Sequence, residues 1–78
     1  MSLAQYFVVV HEDEWKIKYE GQHYGPFATR QAAIWEAVEA AHTRGQKGQE
    51  AQVLVQGVNN QFRVEWTYGH DPYPPSPG

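Results

Sequence analysis

With 78 residues the chain has room for one domain, near the lower size limit for folding alone, so its core must be small. It has no cysteine, which excludes disulfide staples and thiolate metal sites, and it relies instead on three Trp, three Phe and five Tyr. A net charge of −3 argues against a dedicated binder of nucleic-acid backbones, although a local basic patch is compatible with it.

In chain order the first predicted strand is Gln5 to His11. Its run Tyr6-Phe7-Val8-Val9-Val10 is apolar on both faces, which suits a central strand. Glu12-Asp13 forms a turn into a second strand, Trp15-Lys16-Ile17-Lys18-Tyr19, which alternates with period two. A two-residue turn makes Val10 face Trp15, Val8 face Ile17 and Tyr6 face Tyr19 on one side of the sheet. Phe7, Val9, Lys16 and Lys18 fall on the other. Gly21-Gln22 reads as the next turn, leading to a short third strand from His23 to Phe27. Pro26 lacks a ladder donor and marks that strand as an edge.

After Thr29, an N-cap candidate, Ile34, Ala37, Val38 and Ala41 recur at helical spacing. The predicted helix is Arg30 to Arg44, with Gly45 at the C-cap and a polar loop Gln46-Lys47-Gly48-Gln49 beyond it. Its many alanines favour the helix and let it approach a sheet closely. A fourth strand follows, Ala51 to Gln56, and a fifth, Phe62 to Thr67, joined by Gly57-Val58-Asn59-Asn60. Strict alternation puts Val53 and Val55 with Phe62, Val64 and Trp66 on the core side. Residues 1–68 then form the domain, and 69–78 form a proline-rich C-terminal tail that favours polyproline II. No run approaches a membrane span and the N-terminus shows no signal-peptide pattern, so a cytoplasmic protein without a membrane partner is expected.

The change of period from two to helical sets the fold class as α+β. The expected architecture is a five-stranded antiparallel sheet (β-β-β-α-β-β) with one helix packed on one face. The expected strand order is three-two-one-five-four, with the doubly apolar first strand in the middle. The expected core is Tyr6, Val8, Val10, Trp15, Ile17, Tyr19, Phe27, Ile34, Ala37, Val38, Ala41, Val53, Val55, Phe62, Val64 and Trp66.

Residues able to carry chemistry do not assemble into a recognisable pattern. His11, His23, His42 and His70 include no helical i, i+4 pair and have no cysteine beside them, so no metal site is expected. Glu12-Asp13-Glu14 occupies a hairpin turn, which offers no pocket to raise a carboxyl pKa. Ser2 and Ser76 lie near the chain ends, which disfavours a Ser-His-Asp arrangement. Gly45 and Gly48 follow a helix, whereas a phosphate loop precedes one. The expectation is a non-enzyme with no cofactor.

Two surfaces stand out. The sheet face away from the helix is expected to show Phe7, Val9, Lys16, Lys18 and Arg63, with Leu54 beside them. An apolar centre with charged surroundings suits self-association or an unidentified protein partner. The same mixture could stack bases and neutralise phosphates, making nucleic acid the alternative. The counter-reading is that the Lys and Arg stems simply cover Phe7 and Val9. Trp35 lies beside the apolar stripe of the helix, as a roof over the core edge or part of an exposed aromatic patch.

The segments Trp15-Lys16-Ile17-Lys18-Tyr19-Glu20-Gly21 and Phe27-Ala28-Thr29-Arg30-Gln31-Ala32-Ala33 put a Trp-containing strand and a turn glycine before a Thr-capped, Ala-rich helix. The ending Trp66-Thr67-Tyr68-Gly69-His70-Asp71-Pro72-Tyr73-Pro74-Pro75 sharpens the pattern. Together these resemble the bacterial domain of unknown function 2188 family, in which a last strand runs into a Tyr-Gly-x-Asp-Pro tail. That tail motif is Tyr68, Gly69, Asp71, Pro72 and Tyr73 here. Where the family often has an Asp-Gly turn before the last strand, this chain has Asn59-Asn60, which also suits a tight turn. The resemblance implies a compact α+β domain and carries over no established activity or catalytic residues.

Three strands before a helix, with Gly25-Pro26-Phe27-Ala28-Thr29 at the junction, are also similar to the arm-type DNA-binding domain of phage integrases and to plant AP2 domains. That likeness implies DNA contacts from Lys16, Lys18, His23 and Arg30. The acidic balance and the two strands after the helix weigh against it.

Overall fold

The computed structural model describes residues 3–75. Ser2, Ser76 and the end of the predicted tail, residues 76–78, lie outside the described residues. The elements are β1 (Leu3–His11), β2 (Glu14–Tyr19), β3 (Gln22–Phe27), α1 (Arg30–Gln46), β4 (Glu50–Gln56) and β5 (Phe62–Thr67). Among the described residues, no helix is long and apolar enough to cross a membrane.

The first hairpin follows from its turn. Glu12 and Asp13 both adopt positive φ (55° and 63°), the two-residue geometry that matches strand twist. This fixes Val8 opposite Ile17, Val10 opposite Trp15, Phe7 opposite Lys18 and Val9 opposite Lys16, as the alternation predicts. The next turn is Glu20-Gly21 instead of Gly21-Gln22, because Tyr19 pairs with Gln22. The glycine thus takes the second turn position, with φ of 81°.

Thr29 caps α1 as expected, its Oγ1 accepting from Ala32 N–H at 3.0 Å. The helix runs two residues past Arg44, so Gly45 is not the C-cap. The chain instead leaves through Gly48, at φ 92°. Gln49 N donates to Arg44 O and Gly48 N to Gly45 O, the paired bonds of a Schellman turn. Ala33, Ile34, Ala37, Val38, Ala41 and Gly45 make the buried stripe. Gly45 is needed for space: a Cβ there would run into the Tyr68 ring.

The strand order is β3-β2-β1-β4-β5, and β1 pairs in parallel with β4. The sheet is therefore mixed, which corrects the expected all-antiparallel order three-two-one-five-four. The chain leaves β3 in the same direction as β1. One returning helix brings it back to that starting end, so β4 can adjoin β1 only in parallel. Residue character decides that β4, and not β5, takes the inner place. Ala51, Val53 and Val55 are buried against α1, while Gln52, Leu54 and Gln56 are half-buried on the other side. No charged side chain falls between Ala51 and Gln56. Gln52 accepts from Gln5 Nε2 at 2.8 Å, and Gln56 Oε1 takes the Val10 N–H where the ladder ends. β5 carries Arg63 and Glu65 and is exposed from Phe62 to Glu65, as an edge strand can be.

The core lies between α1 and β1, β2, β4 and the end of β5, with Tyr6, Val8, Ile17, Val53, Val55 and Trp66 facing the helix stripe. Ala4, Ala33 and Ala51 join it. Three expected core residues do not. Val10 is 50% exposed, because the β1–β4 pairing ends at Val8 and Val55. Phe62 and Val64 are exposed because β5 changes register.

Candidate interaction surfaces

β5 does not alternate cleanly along its length. Trp66 lies opposite Val53 and Val64 opposite Leu54, so Glu65 is an extra residue, a β-bulge. Before the bulge every side chain is turned to the face opposite the one that strict alternation assigns. Phe62 pairs with Gln56 and Val64 with Leu54, on the helix-free side. Arg63 pairs with Val55 and so faces the helix side. The expected placement of Arg63 on the helix-free face is corrected: it lines a cleft with Trp35, Ile34 and Trp66.

The helix-free face thus gains two large apolar residues and loses a cation. Phe62 meets Phe7 edge-to-face at 5.3 Å between centroids, and Leu54 lies beside both Phe7 and Val64. Phe62 keeps 42% and Val64 50% of its surface exposed. Val9 is on this face but buried at 8% exposure. Its cross-strand neighbour Lys16 keeps only 15% of its side chain exposed, so the lysine stem lies along the sheet. The Lys16 ammonium reaches Glu12 at 3.5 Å and Glu14 at 3.6 Å. Lys18 stays exposed opposite His23. The His23 ring stacks on His11 at 4.1 Å. Partial desolvation, then the nearby His11, Lys18 and Lys16, hold His23 below the ordinary imidazole pKa.

The predicted tail motif is a clasp. After Gly69, at φ 89°, the chain folds back. Asp71 Oδ2 accepts from the Thr67 N–H at 2.8 Å, and the His70 and Asp71 amides donate to Thr67 O. Pro72 O accepts from the Trp66 indole N–H at 2.8 Å. The Tyr73 ring stacks on His42 at 3.6 Å, and its hydroxyl donates to Glu39 at 2.6 Å. That bond to a carboxylate raises the Tyr73 pKa. Tyr68 fills the space over Gly45. Tyr68 and Tyr73 thus fasten the end of β5 to α1, while Asp71 and Pro72 fold the chain back onto β5.

Between the first half of α1, β5 and this clasp lies an open cleft of about 900 Å³, bordered by Arg30, Trp35, Arg63 and Pro72. Trp35, 45% exposed, stands on its wall and is not packed into the core. On the other side of α1, Tyr6 stacks on Tyr19 at 4.2 Å. Arg44 lies over Tyr19 and donates from Nε to the Tyr6 hydroxyl at 3.2 Å. Burial and the neighbouring Tyr6 raise the Tyr19 pKa. Sequence reading paired Tyr6 with Tyr19 but missed Arg44, which joins them from a distant position in the chain.

A family model described as an uncharacterized protein conserved in bacteria (DUF2188) matches residues 6–68. The match begins within β1 at Tyr6, takes in the other four strands and the helix and stops at Tyr68, so the clasp from Gly69 onward lies past it. No curated protein and no solved structure matches the chain.

Proposed function

We propose, for a chain that belongs to the DUF2188 family of uncharacterised bacterial proteins, that the domain is a non-catalytic interaction module that self-associates through the helix-free face of its sheet. One observation carries this reading. The bulge in β5 turns Phe62 and Val64 outward beside Phe7 and Leu54, at a cost in burial that a lone domain gains nothing from. The non-catalytic part is supported by what the polar side chains already do. His11 stacks on His23, His42 on Tyr73, Glu39 holds Tyr73, and Asp71 holds the Thr67 amide. The reading includes a cytoplasmic location, in keeping with a chain that uses no cysteine.

The nucleic-acid alternative drew on Lys16, Lys18 and Arg63 acting together. Lys16 is engaged by two glutamates and Arg63 lies across the sheet, which leaves Lys18 beside the histidine pair.

Light scattering over a wide concentration range tests the proposal. The native protein is expected to show a rising mean mass, and Phe62→Glu to stay folded and monomeric. A native protein that remains monomeric throughout would sink the self-association. Amide shifts at Lys18 and His23 on adding short DNA, weakening with salt, would favour the alternative.

A further inference from the structure

The two edges of the sheet differ in what they could accept. β3 carries Pro26, so it lacks a ladder donor next to its last residue. β5 carries no proline, and among the described residues its outer side has no strand neighbour. The clasp occupies one end of that outer side, taking the Thr67 N–H and C=O. Phe62 to Glu65 are exposed ahead of the buried Trp66, and Val64 stands in that stretch just before the bulged Glu65.

We propose that β5 pairs antiparallel with β5 of a second copy about a two-fold axis at Val64, joining the two sheets edge to edge. This rests on the self-association reading above and adds an edge contact to the helix-free face. The argument is charge order. In such a pair Arg63 lies directly opposite Glu65 of the other copy, and Glu65 opposite Arg63. Directly opposed residues share a face. Within one chain Arg63 and Glu65 already share a face and pair at 3.4 Å, with the Arg63 side chain 70% exposed. Pairing exchanges one such exposed contact in each copy for two equivalent contacts across the seam. A strand running antiparallel must carry the reversed order, Glu-x-Arg, to match, and β5 read backwards is that strand. The interface is isologous and closes at two copies. On the helix-free side it sets Val64 against Val64 and brings the two Phe62 patches onto one continuous surface. The seam is short, so a weak dimer is expected.

Sedimentation equilibrium on the full chain tests the pairing, using the native protein, Arg63→Glu, Glu65→Arg, the double swap, and an equimolar mixture of the two single variants. Each single variant opposes like charges twice and is expected to weaken the dimer by about tenfold or more. The double swap should restore native affinity. The mixture should associate more tightly than either variant alone, because the heterodimer recovers both opposite-charge pairs. That recovery cannot come from a folding defect, and circular dichroism of each variant checks the fold. A native protein that dimerises while both single variants keep its affinity would overturn the edge pairing and leave the face in place. Single variants that weaken but do not recover on mixing would overturn it too. A native protein that stays monomeric would overturn both readings together.

Discussion

The two hairpins of this domain start from the same sequence signal and end differently. In each the second strand alternates apolar and polar residues, and both close through short turns. In β1–β2 the Glu12-Asp13 turn sets the register and nothing disturbs it, so every side chain lands on the face that alternation assigns. In β4–β5 the extra Glu65 reverses the facing of Phe62, Arg63 and Val64 while leaving Trp66 in the core. Period-two reasoning is thus as good as the register it assumes, and one inserted residue inverts everything on its far side.

The largest expected effect is on the hairpin that follows the rule. Ile17 is 6% exposed opposite Val8, within the central cluster. Ile17→Ala is expected to cost about 2–5 kcal/mol, since the rigid surroundings of a small core collapse only partly into the space. Chemical denaturation checks this. A midpoint equal to that of the native protein would mean that Ile17 does not face α1.

The second hairpin anchors the helix through residues beyond its last strand. Gly45 and Tyr68 meet where the end of α1 approaches the end of β5. Gly45→Ala would normally stabilise a helix by roughly 0.5–1 kcal/mol. Here the new methyl must displace the Tyr68 ring, and overpacking costs about 1–3 kcal/mol. The expected net result is a loss. A variant melting higher than the native protein would show that Tyr68 moves aside freely and that the clasp does not depend on close contact.

A smaller effect separates the hairpins directly. Val64 is apolar, sits mid-strand and would be core if β5 alternated like β2. The bulge leaves it 50% exposed, so Val64→Ala is expected to change stability by no more than about 0.5 kcal/mol. A loss comparable with that of Ile17→Ala would contradict the bulge and return Val64 to the helix side.

These contrasts show what the sequence could and could not disclose. The Thr29 cap, the helix stripe and the β1–β2 register follow from local rules, and all are found. The parallel neighbours β1 and β4 were legible in part. Ala51 to Gln56 has no charge and β5 has two, a difference that separates an inner strand from an edge one. The bulge left no such mark, because Glu65 fits the alternation Phe62-Arg63-Val64-Glu65-Trp66 perfectly well. Trp66 lands in the core in either register, held there by the Pro72 carbonyl and the packing of α1. The candidate face was therefore named with Phe7, Lys16 and Lys18 correctly placed, Phe62 and Val64 missing, and Arg63 on the wrong side.

The weakest expected effect contrasts the two hairpins by pH. The first hairpin and β3 carry the stacked His11 and His23, with Lys16 and Lys18 near His23. Loss of solvation comes first, then these neighbours, and together they depress the folded pKa of His23 below its usual value of 6.5. Above that value His23 is neutral in both folded and unfolded chains, and its arrangement is fully stable. As pH falls below 6.5, the unfolded chain takes up the proton more readily than the folded one. The contribution is then lost progressively, until the folded ring is protonated too. Local opening should follow the same course, so amide protection factors in β2 and β3 should fall on acidification more than those in β4 and β5. His23→Gln should reduce that difference between the hairpins. If protection fell equally in both, or if His23→Gln left the acid response unchanged, the stacked pair would not govern it, and the depressed pKa would have no mechanical consequence for the sheet.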